Sequence, residues 1–545
     1  MRRKLTALRA LLAAGICLAA LTSTEPRKVS STSVAPASSA RRQPELPRTI
    51  VDTTEAFKPL RTISVSARGD LQAALDEAQP GDLIALEPRA TYRGPFRLPR
   101  KQGTGWIVIA GRSVEGRLPR PGHRVAPSHA VSMPKLVAAR GSVIAADAGA
   151  HHFRFVGIEV GPTGGAFLRD LVELGSAETS LGDLPHHIVF DRCYLHGDPQ
   201  KGTRRGIAMN GREMAVIDSY LSDFKEAGAD SQAIAGWNGP GPFTIVDSYL
   251  EAAGENIMFG GADPAIADLV PADILIRGNH LAKPIRWQAG APGFEGTQWA
   301  VKNLFELKNA RRVLIDGNVL EYNWPQAQNG FAVLFTVRNQ DGNSPWAAVE
   351  DVTFVNNIVR HVASGINVLG TDDVHPSQRT ARIAIRNNLF VDVGGRWGAG
   401  RLFQLLDGTI DVSIDHNTCL QSDTLLIGAG QDVHRGFVFQ NNIAPHNKYG
   451  IVGSGTASGQ PTLDRYFPEA LVVRNVIVGG KAERYPASNF FPASLEQVGF
   501  VSPQSGNYRL AASSAYTRAG TDGRPIGADL DALAGASVVS EAPAR

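Results

Sequence analysis

One short run recurs down this 545-residue chain and limits the folds open to it. It is apolar, any residue, apolar, two polar residues, then Asn. The copies read ILIRGN to Asn279, VLIDGN to Asn318, VTFVNN to Asn357, IAIRNN to Asn388, VSIDHN to Asn417 and FVFQNN to Asn442. Successive asparagines stand 39, 39, 31, 29 and 25 residues apart. Earlier segments share the outline with other residues: FRFVGI around Gly157, IVFDRC to Cys193, VIDS to Ser219 and IVDS to Ser248. LVVRN around Asn475 closes the series. A constant strand with variable spacing fits a solenoid whose loops differ in length from turn to turn. The β-branched and aromatic residues of the cassette suit a parallel stack. Asn at its end suits a tight bend, because Asn tolerates the left-handed conformation. Stacked on successive rungs, its amides can also bond to one another as a ladder.

A second set of strands lies between the cassettes. It includes LVEL around Glu173, GIAMN at 206–210, SQAIA at 231–235, NIMF at 256–259, LFELK at 304–308, LFTVR at 334–338, GINVL at 365–369, LFQLL at 402–406 and TLLI at 424–427. Period-two alternation marks a strand with one buried and one wet face. Phe305, Leu307, Phe335 and Val337 are therefore expected to point inward. Glu306, Lys308, Thr336 and Arg338 are expected to share one outer face. Glu173, Asn210, Asn256, Asn367 and Gln404 extend it, and the polar stripe is densest from Asn256 to Asn367. A carboxylate, an ammonium and a guanidinium on adjacent rungs make a candidate polar site, with a solvated salt-bridge ladder as the alternative.

The chain ends read differently. Residues 1–22 have a basic start (Arg2, Arg3, Lys4) and a Leu/Ala-rich run, as in a secretory signal. Ile16 stands before Cys17 where a lipoprotein signal has a small residue, which ranks lipid anchoring second. Secretion is thus expected, with no other membrane segment. Residues 23–49 are rich in Ser, Thr, Pro, Ala and Arg and are expected to form a disordered linker. Residues 1–49 hold nine Lys+Arg and two Asp+Glu of the 55 and 52 in the chain, leaving the remainder at a formal −4. No broad basic patch follows, which argues against nucleic acid as a partner. Cys193 and Cys419 are far apart in strand-like runs and read as two buried thiols. Asp70 to Ala78 is an amphipathic helix with Asp70 as N-cap, placed to cover the open end of the solenoid. The domain is expected over 50–534, closed by a structural segment at 505–533, with 535–545 a frayed tail.

Several polar constellations stand outside the stripe. His151-His152 and His186-His187 are 35 residues apart, as are Phe155 and Phe190. The doublets are therefore repeat-equivalent. With no acidic ligand at a matching spacing, they read as a stacked turn rather than a metal site. RRGIAMNG (204–211), with Lys201 and His196, could take an acidic sugar or be an ordinary loop. Trp237, Trp324 and Trp346 could stack on sugar rings or cap the core. Asp341, Asp372 and Asp373 follow strands, where acids serve hydrolysis or simply form turns.

The cassette and its Asn positions resemble the right-handed parallel β-helix superfamily, also called pectin-lyase-like, over roughly residues 60–530. The resemblance implies an all-β solenoid of roughly a dozen turns, three strands per turn, with the N-terminal helix as cap. It also implies a polysaccharide lying along the second strand set. The block FELKN…NVLE…VLFTVR is similar to the Glu, Lys and later Arg of alginate-lyase and chondroitinase-B-like polysaccharide lyases. Those enzymes cleave uronate-containing glycans by β-elimination. Carried over, Lys308 is the base, Arg338 the assisting cation, and Glu306 a Ca²⁺ ligand with Asn256 and Glu255. Asn210, Thr336, Asn339, Asn367 and Trp237 then line the substrate. Those lyases have more than one carboxylate beside the metal and a longer gap between acid and Lys; here Lys308 is two positions beyond Glu306. The expected partner is an acidic polysaccharide and the expected state a monomer. A glycoside hydrolase using Asp341, Asp372 or Asp373 is the alternative, although the Asn-Thr-Asp and Gly-His-Gly signatures of polygalacturonases are absent. A non-catalytic glycan-binding or cell-surface solenoid is the third. A lyase needs cations that face an open groove, whereas a scaffold pairs them off.

Overall fold

The structure, a computed structural model, describes residues 41–112 and 116–537. The expected signal, most of the expected linker and most of the expected tail lie outside the described residues. Cassette strands such as Ala272–Arg277, Ala310–Asp316 and Val349–Val355 stack in parallel into one 14-stranded sheet. The strand after each cassette joins a second sheet of 13 strands, and the set containing Phe305–Leu307 and Phe331–Thr336 forms a third of 12. The chain is a parallel β-helix of about 13 turns, as the cassette predicts. The third sheet is called the face sheet below.

Apolar residues of all three sheets meet inside one continuous core. Phe155 stacks on Phe190 with centroids 4.9 Å apart, at the one-turn separation their spacing implies. Cys193 and Cys419 are free and buried in this core, and burial pushes the Cys193 thiol up to about 12.

The asparagines form one column. Asn318 Oδ1 accepts from Asn279 N (2.9 Å) and Asn279 Nδ2 (3.0 Å), and Asn357 Oδ1 does the same for Asn318 at 2.9 and 2.9 Å. The pattern continues through Asn388, Asn417, Asn442 and Asn475 to Asn489. Ser219 and Ser248 extend it downward: Cys193 N donates to Ser219 Oγ and Ser219 N to Ser248 Oγ, both at 3.0 Å. One detail corrects the sequence reading. The left-handed residue is the one before each Asn: Gly278, Gly317, Asn356, Asn387, His416 and Asn441 have φ of 66°, 67°, 58°, 52°, 51° and 55°. The bend is made there, which frees the ladder asparagine to turn its amide inward.

The helix Leu71–Glu77 forms as expected, with Asp70 Oδ1 accepting from Ala73 N at 3.0 Å. It buries Leu71, Ala74 and Leu75 against the first turns. At the other end the strands Phe500–Ser502 and Asn507–Leu510 pair antiparallel. The chain then returns along the outer surface, where Gly527 N, Ala528 N and Asp529 N donate to Asn441 O, Thr418 Oγ1 and Asn387 Oδ1. That segment is structural, as read.

Residues 41–49 correct the linker boundary. They belong to a strap that runs along the outside of the cassette sheet. Arg41 Nη2 donates to Glu469 O, Glu45 N to Asp351 Oδ1, Arg48 N to Asp273 Oδ1 and Val51 N to Thr244 Oγ1. Glu55 then accepts from Trp106 Nε1 at 2.7 Å. Backbone hydrogen bonds to side chains on the sheet hold this segment, and composition alone does not reveal them.

Candidate functional site

The site lies on the outer surface of the face sheet. Phe305, Leu307, Phe335 and Val337 are buried inside, as alternation predicts. Register sets what stands outside. Glu306 pairs with Leu334 and, one rung on, Leu334 with Asn367 and Asn367 with Gln404. Leu307 pairs with Phe335, which puts Lys308 level with Thr336. Arg338 is two residues further along and points to the next turn, where its Nη1 meets Asp372 at 2.7 Å and also Asp373.

Glu306 is outward by register yet only 2% exposed. Asn303 Nδ2 donates to its Oε2 at 2.6 Å, Thr336 Oγ1 lies 3.4 Å from Oε1, and Lys308 Nζ is 3.8 Å from Oε1. Burial pushes the Glu306 carboxyl up to about 7; Lys308 pulls it down and Glu255 pushes it further up. Lys308 makes no hydrogen bond to another side chain among the described residues: 3.8 Å is an ion contact without one.

A polar ladder rises to this point from below. Arg205 Nη1 donates to Asp170 Oδ1 (2.6 Å), Arg205 Nε to Gln232 Oε1 (3.1 Å) and Gln232 Nε2 to Glu255 Oε2 (2.8 Å). Ile257 pairs with Phe305, so Asn303 occupies the Glu255 position one turn up. Lys302 lies 3.5 Å from Glu255 Oε1 and pairs with Asp230. Among the described residues Glu255 Oε1 and Asn303 Oδ1 are buried with no hydrogen-bond partner. Buried orphaned oxygens carry an appreciable desolvation cost. A hard cation taking oxygen ligands would relieve it.

Several expected site residues turn elsewhere. Asn256, expected on the outer face, is fully buried at a corner of the coil. Its Nδ2 donates to Leu250 O and Ala282 O, and its Oδ1 accepts from the buried Lys283 Nζ. The chain bends at residues 253–254, just before the strand Glu255–Phe259 that holds it, and partners from the neighbouring corner bury it despite its outward count from Glu306. Asn210 is also buried, with Oδ1 accepting from Trp237 N and Asn238 N. Asn339 staples its own loop through Ser344 N and Pro376 O. Trp237 is half-buried under the Arg205 guanidinium, 4.8 Å from its centroid. Thr336 and Asn367 remain on the face, Asn367 accepting from Gln404 Nε2 at 3.1 Å. Lys302, Asn303 and Gln232 escape the sequence reading because they precede the alternating part of their strands, while Arg205 lies in the 204–211 segment read as a candidate for an acidic sugar. Aligning Asn303 with Glu255 by strand register would have found the first two.

Loops stand at both ends of these strands. Asp263 Oδ2 accepts from Asp341 N and Asn343 N, which ties two loops together beyond Lys308. Asp372 is enclosed by Asn339 N, Val374 N and Arg338; burial pushes its carboxyl up, but these bonds outweigh it and hold it below the usual carboxylate range. A carboxyl held ionised in this way is unfit as a general acid.

No known family's profile matches the chain, and no curated protein does either. Solved structures do. A mannuronic acid-specific polysaccharide family 6 lyase from human gut microbiota is 13% identical over 80% of this chain and 93% of its own, with a TM-score of 0.47. The catalytic unit of a GH87 α-1,3-glucanase from Streptomyces thermodiastaticus is 12% identical over 82% and 72%, with a TM-score of 0.44. PfbA, a surface adhesin of Streptococcus pneumoniae, is 9% identical over 79% and 91%, with a TM-score of 0.41. A lyase, a hydrolase and an adhesin at similar scores leave the chemistry to the residues of the site.

Proposed function

We propose that this protein is a secreted polysaccharide lyase that cleaves a uronate-containing glycan by β-elimination on the face sheet. The observation that carries the reading is Lys308: an ammonium on the sheet surface, beside a buried carboxylate, without a side-chain hydrogen bond to occupy it. In β-elimination a base removes the C5 proton, the C5–H electrons form the C4–C5 double bond, and the C4–O4 bond breaks with its pair on O4. Lys308 is the base. Arg338 faces the negative charge that develops on the uronate carboxylate, and stabilising such charge usually lowers the barrier more than any other single effect. Thr336 and Asn367 supply neutral donors and acceptors along the strand direction.

Glu255, Asn303 and Glu306 fit a Ca²⁺ ion by donor chemistry, with Asn303 in the place that Asn256 cannot take. A bound Ca²⁺ would neutralise the uronate carboxylate and make its C5 proton more acidic. Lys302 and Lys308 supply countercharge to the same two carboxylates and would have to yield to it.

The ion pairs of Arg338 with Asp372 and Asp373 favour one other reading, a non-catalytic glycan-binding solenoid. A single plate separates the readings. Alginate, pectate, chondroitin and other uronate glycans are incubated with the protein, with and without a Ca²⁺ chelator, and unsaturated product is followed by ultraviolet absorbance. Neutral glycans with a reducing-sugar readout accompany them. Absorbance should rise on one uronate glycan and fall at least about a hundredfold in Lys308→Ala. Glycan binding without product would favour the binding module, and reducing sugar without absorbance the hydrolase.

A further inference from the structure

The histidine doublets lie on the cassette sheet, away from the face that carries Lys308. His151 pairs with His186 and His186 with Arg212, so His152, His187 and Glu213 form one column on three consecutive turns. All three have left-handed backbones, with φ of 60°, 52° and 54°. That conformation recurs further up the same column at Asp273, Arg312, Asp351 and Arg382. There the neighbours are opposite charges: Arg312 Nε donates to Asp273 Oδ1 at 2.8 Å, and Arg382 Nε to Asp351 Oδ1 at 2.6 Å. Only on the lower turns do like groups stack. The His152 and His187 rings lie 4.2 Å apart, and the His151 and His186 rings 4.8 Å apart.

The ring nitrogens converge. His151 Nδ1 is 2.8 Å from His152 Nδ1, and His186 Nδ1 is 2.7 Å from His187 Nδ1. Glu213 Oε2 is 2.7 Å from His187 Nδ1 without hydrogen-bond geometry, and this buried oxygen has no hydrogen-bond partner among the described residues. His152, His186 and His187 each offer a ligand atom within 4.8 Å of the other two, the only such cluster among the described residues. The nitrogens of a tetrahedral zinc site are roughly 3.3 Å apart, given bonds of about 2.0–2.1 Å. Closing the three imidazoles from within 4.8 Å to that spacing needs shifts of up to about 1.5 Å, and Glu213 has to be drawn in from beside His187. His151 is anchored beside the cluster, its Nε2 3.1 Å from Lys101 O and its Nδ1 2.8 Å from His152 Nδ1.

We propose that His152, His186, His187 and Glu213 form a binding site for a borderline divalent metal ion of the zinc class, tying three consecutive turns together. Three imidazoles and one carboxylate suit Zn²⁺ and Co²⁺ and disfavour Ca²⁺, which takes oxygen ligands. The site therefore differs in ligand class from the oxygen-rich one beside Glu306. Trp106 sits next to it, its ring 5.6 Å from His152 and 6.3 Å from His187, and offers a fluorescence reporter.

The test uses the chain without a polyhistidine tag, stripped of metal and titrated with Co²⁺. One equivalent should bind with a strong visible ligand-field band, change Trp106 fluorescence and be displaced by Zn²⁺. The double variant His152→Asn/His187→Asn keeps residues that tolerate the left-handed backbone. It should lose the band while remaining folded by circular dichroism. Glu213→Gln should weaken binding about 10–100-fold. Zn²⁺ should also raise the Tm of the parent and not that of the double variant. A weak spectrum like that of free Co²⁺ would overturn the proposal, as would equal affinity in parent and double variant. If the double variant does not fold, Glu213→Gln decides: unchanged affinity there rejects the site.

Discussion

Single residues show why outward register is not the same as exposure. Lys308 and Arg338 read alike in sequence, both polar ends of alternating strands, but their surroundings differ. Lys308 has an ion contact of 3.8 Å to Glu306, whereas Arg338 neutralises Asp372, whose side chain is 2% exposed. Truncation should therefore separate them. Lys308→Ala loses an ion contact without a hydrogen bond, to a carboxyl pushed up to about 7 that can take a proton instead, and should cost under about 1 kcal/mol. Arg338→Ala leaves a buried carboxylate without its cation and should cost about 1–3 kcal/mol, with both variants losing turnover. Thermal unfolding of the pair beside the parent checks the difference. Equal stability losses would mean that the Asp372 contact does not matter energetically. A second residue gives a pH dependence. Burial pushes the Glu321 carboxyl up, but His280 at 2.8 Å and Arg360 at 2.6 Å outweigh it and hold it at about 2, against an ordinary 4.5. Between those values the unfolded chain binds more protons than the folded one. The stabilisation is thus complete above about 4.5 and is lost as pH falls through about 2. The shift corresponds to about 3 kcal/mol. Glu321→Gln should melt well below the parent at pH 5 and close to it at pH 2; a gap independent of pH would contradict the assignment.

Elements were legible where their signal is local. The cassette carries its own period, so its strands, their register and the Asn column follow from spacing alone. The staples at Asn210 and Asn339 were not legible, because the backbone leaves strand geometry there and alternation loses its meaning; Asn256 stands within the strand Glu255–Phe259, and its burial comes from Leu250, Ala282 and Lys283, distant partners that alternation does not report. The acid beside the histidines was missed for a related reason: Glu213 follows His187 by 26 residues, not 35, because loop lengths change between turns. The column itself makes a prediction. Asn318 Oδ1 is the acceptor for Asn279 N, a buried backbone donor, and for the Asn279 amide. Asn318→Ala orphans these groups and should cost several times the ~1 kcal/mol of an average hydrogen bond. Asn318→Ser should cost less, because Ser219 Oγ and Ser248 Oγ already accept the backbone N–H of the preceding rung in this same column. Denaturant midpoints of the two variants supply the comparison. If Ser proved as damaging as Ala, the backbone bond would not be the part of the ladder that matters.

At the scale of the whole molecule, the strap, like the returning segment at 527–529, adds long-range contacts to a fold whose stacked strands touch only neighbouring turns. It meets the cassette sheet at Glu469, Asp351, Asp273, Thr244 and Trp106, which lie far apart along the stack. Val51 packs there with Trp106, Val108, Val189 and Ala215, with Phe57 against the same patch, on an outer surface that would otherwise be apolar and wet. The patch is covered by the chain itself. Burying Val51 is worth about 2 kcal/mol, and the three backbone bonds from Glu45, Arg48 and Val51 about 1 kcal/mol each. For a chain this long, ~1 kcal/mol corresponds to about one degree of Tm. A form beginning at residue 59 should therefore melt about 5 °C below one beginning at residue 41 and aggregate through the uncovered sheet. Differential scanning calorimetry of the two truncations, beside light scattering, measures both effects. Identical melting of the two forms would show that the strap rests on the sheet without stabilising it.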